Sequence, residues 1–436
     1  MHADDKTKRL YRRVTYRIVP LIFLCYLIAM IDRLNIGFAK LQFMSDLHLN
    51  ATQFGFAASL LYLGYILFEI PSNLMMQKRG IGVTLLRIMV LWGIVTMLLA
   101  FADSAMHFYS LRFMLGLAEA GFLPGVLLYF TYWFPERMRG RMTSWFVCAL
   151  PVSGIVGGPL AGWIMSSANG LDGLRGWQWL FLIEGLPAVL LGVIASLSLA
   201  RTPAQAGWLS DEERAIIAQE LQRGAPTHPV SPHGFAGALA DKRVWGLAIS
   251  YFMFYCVENA LLIWTPTLLK SVGSLTIFQI GWVSGGISLV SVIGMLLVCA
   301  SSDRLSERRW HVIGCGTLCG ACFMLLPLAA HHIVLTVMIL TITATAVFSF
   351  LALFWTIPSA YLRGTSAAGG LAFISSVGAI GGVVSPIYVG RMKDIAGSYY
   401  ASLGSLGLLL ILGMGVLYLS LRQPAPAGSL SYTNPK

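Results

Sequence analysis

The sequence predicts an all-α integral membrane protein: twelve transmembrane helices in two pseudo-symmetric six-helix bundles. Three observations predict it: the scarcity of charge, twelve long apolar runs, and motifs that recur at matching places in the two halves. Of the 436 residues, 57% are hydrophobic and only 11% charged, and mean hydropathy is +0.73. Soluble domains carry about 25% charged residues, so lipid is the expected solvent for most of this chain.

The apolar runs fall at about 17–38, 53–76, 82–101, 107–131, 143–166, 178–200, 245–268, 277–300, 311–330, 334–359, 366–390 and 399–421. Each is long enough to cross a hydrocarbon core of about 30 Å at 1.5 Å per residue. They are numbered spans 1 to 12 below. Of the 30 Lys and Arg, 22 lie in segments on the side of the N-terminus and five on the other side (Lys40, Arg175, Lys270, Arg391 and Lys393). Basic residues concentrate on the cytoplasmic side of membranes. Both termini are therefore expected in the cytoplasm and the protein in the cytoplasmic membrane. The same distribution accounts for the net charge of +11 without a nucleic-acid partner. No cleavable signal peptide is expected, because the polar, basic N-terminus leads into a full-length span.

The expected organisation is a cytoplasmic segment (1–16), a first bundle (17–200), a cytoplasmic linker (201–244), a second bundle (245–421) and a cytoplasmic tail (422–436). Within the linker, "LSDEERAIIAQELQR" reads as an amphipathic surface helix. The halves echo each other. "WFPERMRGRMTSW" follows span 4 and "WTIPSAYLRGTSAAGG" follows span 10. "SGIVGGPLAG" in span 5 answers "GAIGGVVSPIYVG" in span 11. Such repeats build many secondary transporters, with the binding site at the repeat interface near the midplane.

Ionisable residues inside the spans are the candidate functional groups, because each costs at least about 2.5–3.5 kcal/mol at the bilayer centre and calls for a partner in the bundle interior. They are Asp32 and Arg33 in span 1, Arg112 and Glu119 in span 4, and Glu258 in span 7. Arg112 and Glu119 are seven residues apart, so they share a helix face about 10 Å apart along the axis. Arg33 is the natural ligand for a carboxylate, since guanidinium keeps its charge and presents a matching fork. Asp32 and Glu119 are the natural proton carriers, tuned by Arg112. The pattern suggests proton-coupled anion transport. The competing reading is two helix-locking ion pairs, Asp32–Arg112 and Arg33–Glu119. Glu69, Arg87 and Glu184 read as structural, the last two near enough to the interfaces to snorkel or pair. Cys315, Cys319 and Cys322 share a helix face and read as packing residues, because no Cys/His set has metal-binding spacing. No cofactor or metal is expected.

These residues carry a resemblance. "DRLNIGFAKLQF", "GYILFEIPSN", "RFMLGLAEAGFLPG", "GWQWLFLIEGLPAVLLG" and "SSDRLSERRWHV", within a likeness spanning about 11–421, resemble the anion:cation symporter family of the major facilitator superfamily. That family includes bacterial carriers for tartrate, other sugar acids and hydroxyphenylacetate. The resemblance implies the major facilitator fold, proton coupling at Asp32 and Glu119, tuning by Arg112 and a carboxylate on Arg33. It also implies a cavity lined by Tyr65 and Trp355, with polar contributions from Ser375 and Tyr251. Asp303 and Arg304 match the superfamily's gating loop, whereas Gln77 stands where the first copy usually has Asp. Glu258 and its neighbour Asn259 depart from the family pattern, in which an apolar residue is usual at the first and Tyr frequent at the second. Glu258 has two readings: it points at a neighbouring helix and pairs locally, or it faces the cavity and makes the substrate differ from a plain sugar acid, bonding a hydroxyl as a neutral acid or contacting an amino group.

The expected partners are a small carboxylate, protons and lipid, and the expected state is a monomer. Exchange of one anion for another is the alternative, supported by the "GIVGGPLAG" run. An enzyme is not expected, for there is no HExxH, phosphate loop or Ser-His-Asp pattern in context. A sensor is also disfavoured, since the longest polar stretch is too short for a signalling domain.

Overall fold

The computed structural model of the chain describes residues 2–223, 241–361 and 365–422. Part of the expected linker (224–240), Arg363 of the basic-residue pattern and the tail from 423 lie outside the described residues. Among those described, twelve helices are long and apolar enough to cross a membrane. They are Lys6–Asp46, Ala51–Arg79, Ile81–Leu99, Ala105–Trp133, Glu136–Ser167, Gly176–Ser198, Lys242–Val272, Ile277–Arg304, Arg309–Ala329, Ile333–Ser359, Gly369–Ala396 and Tyr399–Arg422. Each coincides with one expected span. Most overrun it, because helices continue past the hydrocarbon until a cap stops them. Span 2 starts at an Asn50–Gln53 capping box and span 8 at a Thr276–Gln279 box, each satisfying backbone N–H groups that the first turn leaves free.

The spans form two bundles with matching internal contacts. Span 3 packs on span 6 as span 9 packs on span 12, and span 1 on span 5 as span 7 on span 11. The bundles meet chiefly through two further pairs, span 5 with span 8 and span 2 with span 11, and also through span 1 with span 7. The first two pairs contain the two echoing Gly/Pro runs, so the sequence repeat has one structural job in both halves. Side chains facing away from the bundles are apolar and exposed, as with Leu197, Leu297 and Val334. That is the surface a lipid solvent selects.

Among the described residues, close cross-bundle contacts at Gly158, Gly281 and Asp394 lie toward the face away from the termini. There the backbones touch: a Cβ on Gly158 would stand 2.8 Å from the Gly281 carbonyl oxygen, and one on Gly281 would stand 2.9 Å from the Gly162 Cα. At the rim, Asp394 of span 11 accepts from the Thr52 N–H (2.7 Å) and hydroxyl (2.6 Å) and the Ala51 N–H (3.3 Å). It caps span 2 from the opposite bundle, where the helix dipole favours an anion. Nearby, Lys40 is buried, with its ammonium 3.5 Å from the centre of the Trp264 ring and 4.9 Å from Phe54.

On the terminal face, the amphipathic helix expected in the linker is present as Asp211–Arg223. Ile217 is its fully buried anchor. Ion pairs Lys6–Glu212, Arg13–Glu213 (2.6 Å) and Arg137–Glu220 (2.5 Å) hold it to the first bundle. Just before it, Trp208 stacks on Trp133 with ring centres 5.7 Å apart.

Candidate functional site

Between the bundles lies a cavity of about 1030 Å³, counted with its open mouth. Six spans line it. Span 1 contributes Arg33, span 2 Tyr62, and span 7 Tyr255, Glu258 and Asn259; the rest of the wall, from spans 5, 8 and 10, is mainly apolar with serines. It sits below the closed Gly seam, at the repeat interface expected from the sequence.

Span 1 carries the chemistry on two faces. Arg33 faces the cavity, and its Nε donates to Glu119 Oε1 at 2.6 Å. Its guanidinium lies 5.5 Å from the centre of the Tyr65 ring. No hydrogen bond to its terminal nitrogens is formed by the described residues, which leaves the fork available on the cavity side. Asp32 points the other way. It is 6% exposed and accepts from Trp92 Nε1 (2.9 Å) and Thr96 Oγ1 (3.1 Å) of span 3. Arg112 is buried beside this set, and its Nε has no hydrogen-bond partner. Of the two ion pairs posed by the sequence, Arg33–Glu119 is therefore formed. Asp32 is held by an indole and a hydroxyl rather than by an ion pair to Arg112.

Span 4 breaks immediately after Glu119. Its two helices are Ala105–Glu119 and Phe122–Trp133, joined through Gly121 at φ +86°. Only Gly adopts this backbone without strain, and a Cβ there would also collide with the Ser72 hydroxyl. Arg87 closes the break, donating to Ala120 O (3.3 Å) and Ser72 Oγ (2.5 Å). It thus has a structural role, as expected. Glu184 requires a correction. It neither snorkels nor pairs: it is 5% exposed and neither carboxylate oxygen has a hydrogen-bond partner. The helix carries it inward because span 6 packs tightly on span 3 through Gly185 and Gly93.

The other expected site residues divide. Glu258 and Asn259 line the cavity with Arg33. Asn259 Oδ1 accepts from the Tyr62 hydroxyl across the bundle interface, and its Nδ2 donates to Tyr255 O at 2.9 Å. Tyr251 and Trp355 meet each other, ring centres 4.9 Å apart, in a cluster with Phe354 outside the cavity lining. Ser375 is exposed and also outside the lining. Asp303 is paired with Arg308, and Arg304 is exposed on the terminal face. Tyr62, Tyr255, Trp92 and Thr96 were not anticipated. The signal for the last two is an N–H and an O–H at i and i+4 on one face of an apolar span.

A twelve-span, two-bundle protein with a central cavity between its repeats is a carrier of solutes. The chain belongs to the major facilitator superfamily, whose family model matches residues 22–386. It is 40% identical to the "Putative metabolite transport protein NicT" of Pseudomonas putida over 92% of both chains. It is 40% identical to a "Putative tartrate transporter" of Agrobacterium vitis, over 97% of this chain and 94% of that one. It is 38% identical to the "Quinolone resistance transporter" of Acinetobacter baumannii over 95% of each. Among solved structures, the partially occluded inward-open xylose transporter XylE of E. coli matches at TM-score 0.73 and 14% identity, covering 95% of this chain and 99% of that one. These relatives agree with the resemblance drawn from the sequence. The protein is a transporter and not an enzyme.

Proposed function

We propose that this protein imports a small organic carboxylate together with protons across the cytoplasmic membrane. The observation that carries the reading is the Arg33–Glu119 ion pair at the cavity wall. With Asp32, Glu119, Arg33 and Arg112 all in charged form, the set sums to zero. A proton on Glu119 releases Arg33, and a substrate carboxylate then replaces the lost negative charge. The empty and the fully loaded sites therefore carry the same net charge. A half-loaded site leaves one buried charge uncompensated, at a cost of about 3–5 kcal/mol. That difference is what couples the two fluxes. Asp32, clamped by Trp92 and Thr96, is the other acid able to carry the coupling proton, and Arg112 sets the balance between the two. The name "Putative tartrate transporter", carried by two of the relatives, supports a carboxylate cargo.

The two bundles, 17–200 and 245–421, are the rocking units, and the monomer is the working form. With the basic-rich terminal face in the cytoplasm, the present conformation is inward-open. Asp303, Arg304, Tyr251, Trp355 and Ser375 then lie on the exit side, where they meet the substrate or the opposing bundle later in the cycle. Exchange is the second reading. The "GIVGGPLAG" run that suggested it finds a sufficient role in the span 5–span 8 seam. Uptake into proteoliposomes with an alkaline interior tests the proposal, using tartrate, galactonate, 4-hydroxyphenylacetate and phthalate. Accumulation that needs the gradient and vanishes in Arg33→Ala supports symport. Exchange with preloaded anion, without gradient-driven uptake, sinks it.

A further inference from the structure

We infer that the cavity is built for a monocarboxylate with an apolar, ring-like body and a hydrogen-bond donor at its far end, which Glu258 receives. This rests on Arg33 as the carboxylate ligand and adds what the rest of the molecule must be.

The argument is a census of the polar groups in the wall. Arg33 is the one cation among the described lining residues and Glu258 the one anion, and they stand on opposite bundles. A substrate carboxylate held by Arg33 therefore points its other end toward span 7. Glu258 forms no hydrogen bond or ion pair with a described residue, and its Oε2 is buried without a partner. Glu258 differs from the other unpartnered buried groups in lining the cavity, where a ligand's donor can recover the solvation that burial forfeits. Most of the hydroxyl donors in the wall are already committed. Ser153, Thr265 and Ser288 donate to the carbonyls of Leu150, Leu261 and Ser284. Tyr62 donates to Asn259, and the Asn259 amide donates to Tyr255 O. What remains facing the cavity is the Glu258 carboxylate as acceptor, with the hydroxyls of Tyr255 and Ser284 as the two neutral donors that no described residue engages.

This inventory disfavours a second carboxylate. It would meet Glu258 rather than a cation, and the two free hydroxyls of Tyr255 and Ser284 offer it neutral donors but no opposite charge, so it would be desolvated with only part of the loss made good. The remaining wall is apolar or aromatic: Phe38, Leu262, Pro266, Ile287, Val347 and Phe348. A compact ring fills it, whereas a polyhydroxylated chain leaves its polar groups against carbon. Glu258 thus acts as a specificity residue, accepting an O–H or N–H from the far edge of the ring.

The test is ligand binding to the purified full-length protein, read as thermal shift against concentration. The probes are benzoate, 3- and 4-hydroxybenzoate, 4-aminobenzoate, terephthalate and L-tartrate. The proteins are wild type, Glu258→Leu, Glu258→Gln and Arg33→Ala. A hydrogen bond to a charged acceptor corresponds to roughly tenfold or more in affinity. At least one donor-bearing acid is expected to bind at least tenfold tighter than benzoate, and terephthalate and tartrate at least tenfold more weakly than that acid. In Glu258→Leu the ratio of that acid's affinity to benzoate's falls to within threefold, and Glu258→Gln lies between. Arg33→Ala loses every acid. If terephthalate or tartrate binds as tightly as the donor acids, or the preference survives Glu258→Leu, the inference is overturned while Arg33-dependent binding leaves the carboxylate reading standing. If no acid in the panel binds wild type, or binding survives Arg33→Ala, both fall together.

Discussion

Replacing Gly281 by Ala tests the closed face directly. The new Cβ would stand 2.9 Å from the Gly162 Cα and closer still to the Gly158 carbonyl oxygen. Carbon atoms rest at about 3.5–4.0 Å, so spans 5 and 8 must part by at least about 0.6 Å. Overpacking of this kind costs about 1–3 kcal/mol. The cost falls only on the conformation in which the two spans touch. The gain of up to about 1 kcal/mol from replacing a helical Gly by Ala is common to both conformations and cancels. The ratio of conformations should therefore shift by about 5- to 150-fold toward opening of this face. The assay is pulsed EPR on spin labels at Asp172 and Ser274, exposed loop positions beside the ends of spans 5 and 8, with the seven native cysteines replaced. A population at longer distance should appear. An unchanged distance distribution in a folded protein would show that the seam does not govern the equilibrium and would refute the reasoning.

Four further outcomes follow from the same structure. Glu119→Gln should keep carboxylate binding but lose at least tenfold in gradient-driven accumulation, because Arg33 is no longer held in exchange for a proton; paired measurements of binding and uptake check this. Trp92→Phe removes one of two donors to Asp32, a bond of about 1.5–3 kcal/mol if the carboxylate is charged, and should displace the pH–uptake profile while leaving the order of preferred substrates intact. Asp394→Asn should weaken the cap on span 2 by about 0.5–2 kcal/mol and raise cysteine-labelling rates on that face. In the docked helix, Glu213 is held below the ordinary carboxylate range by the Ser210 N–H and by Arg13. Its contribution to docking is present above the unfolded value of about 4.3 and is lost as pH falls through the lowered folded value. Amide protection over 211–223, taken relative to the intrinsic exchange rate at each pH, should therefore fall on acidification, and Glu213→Gln should show the lower protection already at pH 7.

The spans were legible because lipid makes hydrophobicity nearly binary, and the repeat because it puts like motifs at like positions; which span packs on which was not. Asp32, Arg33, Glu119 and Glu258 were legible because charge inside an apolar run has few purposes. Facing was not legible. Tyr62 and Tyr65 are one turn apart, yet Tyr62 lines the cavity while Tyr65 backs the Arg33 guanidinium. The break after Glu119 was hidden inside a hydrophobic stretch, since Gly in a transmembrane helix usually marks close packing and its φ is set by Ser72 and Arg87 in three dimensions. Glu184 was misplaced because distance from a loop does not tell which neighbour a face meets.

The seam of spans 2, 5, 8 and 11 has a bearing on insulation. Positions where an added methyl finds no room, at Gly158 and Gly281, have none for water, which needs volume and two to four polar partners. A proton crosses protein by hopping along hydrogen-bonding groups or water, and at these contacts bare backbone offers neither route. Under the proposed symport, the seam is the barrier that keeps an empty carrier, open to one side, from short-circuiting the gradient that drives it.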